Sequence, residues 1–194
     1  MGLRNTADSW GWLARLLHWA MGLIIIGLVG VGLYMVEVLG DDSNSLLLRY
    51  ELTQMHKSFG FVAFALALLR IGWRWMNPTP VVPNASPFMQ TLAHGGHLAL
   101  YLCMIALPIS GWLMASASPY NDPDAYIRIP NMVFGLFELP DPYPKGDEAL
   151  TKLLGKVHFY TAMVLVIILL GHIGAALKHH LIDRDRVLVR MLKG

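Results

Sequence analysis

Residues 156–180 read KVHFYTAMVLVIILLGHIGAALKHH, with no charged side chain between Lys156 and Lys178. A helix rises about 1.5 Å per residue, so about 20 such residues cross the hydrocarbon of a bilayer. The stretch predicts a membrane span at roughly 155–178. It also holds two histidines, His158 and His172, placed 14 residues apart. That separation is about 21 Å along a helix axis, yet fourteen steps of about 100° leave the side chains only about 40° apart around it. Both imidazoles therefore point to one side of the helix, one near each membrane face.

Three further apolar stretches, roughly 12–38, 56–76 and 92–116, have the same character. Trp10, Trp12, Tyr34, Trp73, Trp75 and Tyr160 fall near predicted span ends, where interfacial aromatics gather. Pro108 interrupts the third stretch and is expected to kink it. The first stretch has too long an apolar core, and no small-x-small site after it, to read as a cleaved signal peptide, so the N-terminus is expected to be retained. Over all 194 residues, 55% are hydrophobic and only 14% are charged, and mean hydropathy is +0.49. So apolar a chain of this size cannot hide its surface from water, and the same balance excludes intrinsic disorder. The expected fold is an all-α membrane protein, a single four-transmembrane-helix domain over 1–194. A net charge of +2 gives no basic field for nucleic acid, and the single Cys103 excludes an intramolecular disulfide or a cysteine cluster.

Lys and Arg set the orientation. Nine of them (Arg4, Arg15, Arg70, Arg74, Lys178, Arg184, Arg186, Arg190 and Lys193) fall on one side, with three acids. Six (Arg49, Lys57, Arg128, Lys145, Lys152 and Lys156) fall on the other, with ten acids. Both termini are expected to be cytoplasmic, with the 39–55 loop and a long 117–154 loop facing outward. Within the long loop, FGLFELP is expected to fold back against the bilayer or over the helices. The inner link NPTPVVPNASP is Pro-rich, uncharged and stiff. No internal repeat or low-complexity tract is visible.

Histidine inside a span is costly and points to function. His18 lies six residues after Trp12 in an outward-running helix, and His172 six residues before Lys178 in an inward-running one, so they share one depth. His56 opens the second span on the outer side, level with His158. Two facing neutral imidazoles at one depth suit the axial positions of a haem iron with no site left for oxygen, a group that shuttles electrons. Zinc or copper would need ligands converging on one point. The absence of C-x-x-C-H excludes covalent haem attachment, and no intramembrane Asp or Glu relay suggests a proton pump. His94 and His97, spaced i,i+3, share a helix face and are candidates for haem propionates, a quinone carbonyl or a substitute ligand. Arg15 is a further propionate or quinone candidate. His179 and His180 read as solvated interfacial residues. Gly22, Gly27, Gly30, Gly32, Gly60, Gly171 and Gly174 suit close helix packing or the approach of a flat macrocycle.

The chain resembles the bacterial cytochrome b561 family, which includes the superoxide oxidase. The resemblance is carried by RLLHWAMGLIIIGL around His18, MHKSFGFVAFALALLRIGWRW around His56, LAHGGHLALYLCMIALPISGW around His94 and His97, FGLFELP, and residues 156–180. It covers nearly the whole chain. It implies an inner-membrane four-helix protein with two b haems, the ligands His18, His172, His56 and His158, and electron exchange with ubiquinone. The chain departs from the family in its SPYNDPDAYIRIP insert and in a net acidic outer face. Lys57 and Arg128 are then the local attraction for an anionic donor such as superoxide. The expected function is electron transfer between a periplasmic donor, superoxide first, and ubiquinone, which would make the protein a redox enzyme. The alternative is a membrane-anchor cytochrome b subunit relaying electrons for a partner dehydrogenase or hydrogenase. A non-haem histidine-rich transporter or metal-binding protein is a third class, which a visible spectrum separates.

Overall fold

The computed structural model describes residues 2–80, 86–126, 128–143 and 145–194. Four long helices dominate: α1 Trp12–Glu37, α2 Ser43–Trp75, α3 Pro87–Ser116 and α4 Glu148–Leu181. A short α5, Val187–Lys193, follows. Each of the four long helices is apolar enough to cross a membrane. In lipid the backbone must satisfy its own hydrogen bonds, so glycine-rich α1 and Pro108-containing α3 stay helical despite poor propensity. Residues 81–85 of the Pro-rich inner link lie outside the described residues.

The helices run farther than the apolar stretches. Residues 43–55 of the expected outer loop are helical, and α4 begins at Glu148. Short polar caps set these starts. Asp42 Oδ1 accepts from the backbone N–H groups of Asn44 and Ser45, both at 3.1 Å. Asp147 Oδ1 accepts from Leu150 N at 2.9 Å. Each cap satisfies orphan donors of a first turn.

The chain divides into two compact units, and every long helix contributes to both. One unit comprises 1–23, 65–103 and 164–194. Ala14, Leu17, Met21, Ala67, Cys103 and Leu165 are buried there. Leu69, Leu102 and Ile167 are mostly exposed and suited to lipid. The C-terminal α5 is tied to α1: Arg15 Nη1 donates to Leu192 O and Trp19 Nε1 to Met191 O, both at 3.0 Å. His179 is not simply solvated. Its Nδ1 sits 2.5 Å from Asp185 Oδ2, pinning the turn after α4.

The second unit comprises 24–64 and 104–163. Its outer segment holds a two-residue antiparallel hairpin, β1 Met132–Val133 with β2 Phe137–Glu138. The turn passes through Phe134 (φ 49°) and Gly135 (φ 68°). FGLFELP is therefore a hairpin laid on α2: Phe134 N donates to Ser58 Oγ at 2.9 Å, and the Phe134 and Phe59 rings pack edge to face at 5.2 Å.

Asp122 stitches the same segment together. Backbone N–H groups of Gly146, at 2.8 Å, and Asp124, at 2.9 Å, hold its carboxyl below the usual carboxylate range. A depressed folded value stabilises above the unfolded value and is lost as pH falls through the folded one. Asp122→Ala should loosen residues 117–147 at neutral pH, and wild type should loosen on acidification below about pH 4. Limited proteolysis of the loop, against pH, checks both.

Candidate functional site

In the second unit, α2 presents His56 and α4 presents His158. Their ring centres are 6.3 Å apart with planes at 69°. His158 is held by α3: its Nδ1 lies 3.1 Å from Leu107 O and 3.1 Å from Ser110 Oγ. A carbonyl only accepts, so Nδ1 carries the proton and Nε2 keeps its lone pair free. Glycine makes the approach possible. A Cβ on Gly111 would lie 3.2 Å from His158 Cε1, whereas one on Gly32 would lie an ordinary 3.5 Å from His56 Cε1. His56 Nδ1 is buried and has no hydrogen-bond partner among the described residues.

In the first unit, α1 presents His18 and α4 presents His172, with ring centres 6.0 Å apart and planes at 60°. His97 of α3 joins them, 5.5 Å from His172. Arg70 of α2 ties this unit together. Its Nη2 lies 3.2 Å from His18 Nδ1, its Nε donates to Tyr101 Oη at 3.3 Å, and its Nη1 donates to Ala14 O at 3.4 Å. His94 is not brought in: it is exposed, and its Nδ1 bonds Gln90 O at 2.7 Å on its own helix. Arg15 bonds α5, as described above.

The two cations proposed for anion attraction are both engaged. Lys57 Nζ donates to Asn131 Oδ1 at 3.2 Å and Pro130 O at 3.4 Å. Buried Asn131 passes the contact on to Asp141 Oδ1 at 2.5 Å. Arg128 pairs with Glu138 and lies 3.7 Å from Asp141.

The ring spacings of both pairs fit a metal that would be held between two imidazoles. With metal–imidazole bonds near 2.0–2.1 Å, as at zinc, and ring centres about 1.1 Å behind the bonded nitrogens, two opposed rings sit about 6.3 Å apart. Both observed pairs, at 6.0 and 6.3 Å, match that spacing. The buried, unpartnered His56 Nδ1 and the glycine-backed His158 ring suit imidazoles built to be approached from one side. Sequence reasoning missed Ser110, Gly111, Asn131 and the Leu107 carbonyl, and treated Arg70 only as a topological charge. The Ser110–Gly111 pair, one residue beyond the intramembrane Pro108, was the available signal for α3.

A family model described as prokaryotic cytochrome b561 matches residues 9–194. The chain is 34% identical over 197 residues to Cytochrome b561 homolog 2 of Escherichia coli (strain K12), covering 99% of this chain and 95% of that protein. It is 31% identical over 182 residues to a Probable superoxide oxidase CybB of Yersinia pestis, covering 91% of each. It is 25% identical over 178 residues to Cytochrome b561 homolog 1 of Escherichia coli (strain K12), covering 91% of this chain and 92% of that protein.

Proposed function

Because the chain belongs to the prokaryotic cytochrome b561 family, a family of membrane electron-transfer proteins, we propose that it holds two b haems, one between His56 and His158 and one between His18 and His172. Electrons pass from a periplasmic donor at the first pair to ubiquinone by way of the second, across the bacterial inner membrane. The observation that carries this reading is the pair of imidazole–imidazole spacings, 6.3 and 6.0 Å, each made by side chains from two different helices.

When bound, b haem would supply reversible one-electron chemistry. The chain's own residues do the rest. Leu107 O and Ser110 Oγ fix which nitrogen of His158 faces inward. His56 with His158, and His18 with His172, each pair drawn from two helices, would hold the group and leave no open position on its metal for water or oxygen. The hairpin and Lys57–Asn131 contacts order the loop beside α2.

Superoxide is the proposed first donor, supported by the name of the 31% identical relative. The loop's grip on Lys57 and Arg128 favours keeping a second reading, an anchor subunit that takes electrons from a partner protein at this face. The deciding experiment uses purified protein. A pyridine haemochrome assay should give two haems per chain with low-spin spectra, and superoxide should reduce them and then a soluble ubiquinone. One haem per chain contradicts the paired-ligand reading. Two haems that superoxide fails to reduce leave the anchor-subunit reading.

Lys57 can be tested separately. Lys57→Gln keeps an N–H donor for Pro130 O but removes the charge. Steered association weakens with salt, because the Debye length is about 8 Å at physiological ionic strength, and steering is worth about tenfold or more in rate. The variant should slow haem reduction by superoxide about tenfold at low salt with both haem spectra unchanged. A rate indifferent to salt and to the substitution removes Lys57 as an attractor.

A further inference from the structure

We propose that the tip of the β1–β2 hairpin, Phe134, Leu136 and Phe137, is seated in the neighbouring lipid leaflet, so that the bilayer anchors the hairpin alongside α2. The inference is independent of any bound group. It comes from the level at which the hairpin is fastened and from what its tip leaves uncovered.

Both sides of the hairpin are fastened to residues inside the apolar stretches. Phe134 N donates to Ser58 Oγ at 2.9 Å. Ser58 is the third residue of the 56–76 stretch, about 3 Å inside its end at the rise of a helix. Beyond β2, Trp112 Nε1 donates to Pro140 O at 3.2 Å. Trp112 stands four residues, about 6 Å, inside the end of the 92–116 stretch. α2 and α3 are both long and apolar enough to cross a membrane. α2 begins at Ser43, fifteen positions before Ser58, so the helix runs well past the hairpin. A hairpin tied at these points lies at the edge of the hydrocarbon and not above the helix ends.

The tip has the composition that such a place demands. Residues 132–137 read MVFGLF, with no charged or hydrogen-bonding side chain. Leu136 is 78% exposed, Phe137 54% and Phe134 41%. The patch continues onto the helix surface beside it, because the Phe134 ring packs on Phe59 of α2, itself 40% exposed. Charge gathers at the rim, where Glu138 pairs with Arg128. Pairing of Met132 with Glu138 and of Val133 with Phe137, and the bond from Leu136 N to Val133 O, satisfy backbone groups within the hairpin. That lets the turn approach a medium poor in hydrogen-bonding partners. An exposed apolar patch rimmed by polar groups marks an interaction surface. At the headgroup–acyl boundary the occupant is lipid, as for an amphipathic segment lying in the interface. The bilayer then helps to hold the loop that grips Lys57 through Pro130 and Asn131.

The test places a fluorophore at the tip of the full chain in phosphatidylcholine nanodiscs. Cys103 is the single cysteine and is buried, so Cys103→Ala leaves an introduced cysteine as the only labelling site. Leu136→Cys carries the fluorophore NBD at a position that packs against little. Asp124→Cys, at an exposed position of the same loop, is the aqueous reference. Each is quenched by iodide in the water and, separately, by a nitroxide carried high on the lipid acyl chain. The nitroxide should quench the Leu136 label. Iodide should quench it about threefold less than the Asp124 label, as for a group about 5–10 Å into the headgroup–acyl boundary. Phe137→Cys should behave as Leu136→Cys does. Iodide quenching equal to that at Asp124, with no effect of the nitroxide, would put the tip in water and overturn the proposal. Protection from both quenchers would overturn it as well, since a second copy or another protein would then cover the tip. Unchanged helix content by circular dichroism checks the fold of each variant. If Cys103→Ala fails to fold, the buried native cysteine is kept and labelled wild type supplies the blank.

Discussion

His158→Ala should leave the purified protein with one haem per chain in place of two, and His56→Ala should lose the same haem. The two rings come from α4 and α2, with centres 6.3 Å apart and planes at 69°. Removing either would take away one of the two side chains proposed to hold the group. His18→Ala and His172→Ala should together define the other haem, with the first left intact. The total should fall by about half in each case, read by pyridine haemochrome against protein. On the proposed two-haem route, electron transfer should vanish with the loss of either haem. His97 supplies the discriminating arm. Its ring is 5.5 Å from that of His172, closer than His18 at 6.0 Å. If His97→Ala removed a haem while His18→Ala retained both, His97 and not His18 would be the partner of His172.

That ambiguity shows where sequence reading reaches and where it stops. The four spans were legible because a bilayer imposes a length and an apolar composition that nothing else in the chain imitates. Level positions along helices of known rise put His18 with His172 and His56 with His158, and the rings are neighbours in the structure. Depth, however, carries no azimuth between different helices. His97 shares the depth of His172, and only the packed structure shows its ring turned to that cluster while His94 turns to Gln90 O. The helix ends were hidden for another reason. Asp42 and Asp147 act from outside the apolar stretches, so a hydropathy reading stops short of the helices they start. The hairpin at Phe134 depends on a positive φ at a phenylalanine, which no residue-level rule anticipates. Arg70 was visible as a charge but not as a contact, because its three partners lie on α1 and α3.

Gly111→Leu should empty the His56–His158 site, while Gly32→Ala should leave it filled. The contrast isolates a position that hydropathy treats as interchangeable. The His158 ring lies so close to α3 that even a Cβ at Gly111 would meet Cε1 at 3.2 Å and Nδ1 at 3.3 Å. Alanine there needs the ring to give by a few tenths of an ångström. Leucine adds three further carbons to the same space and must displace the ring. Overpacking of this kind costs about 1–3 kcal/mol. Here the displacement also takes Nδ1 away from Leu107 O and Ser110 Oγ, the two contacts that orient the imidazole. A ligand that has lost both its angle and its tautomer control binds metal less well, by about 10–100-fold where such outer-shell partners are removed. At Gly32 the corresponding Cβ would sit 3.5 Å from His56 Cε1, an ordinary contact that an alanine methyl satisfies without movement. Haem stoichiometry and the low-spin spectrum of the purified variants decide the matter. A Gly111→Leu protein with two low-spin haems would show that His158 can be seated without this glycine, and that the ring's position in the structure is not the one it holds as a ligand.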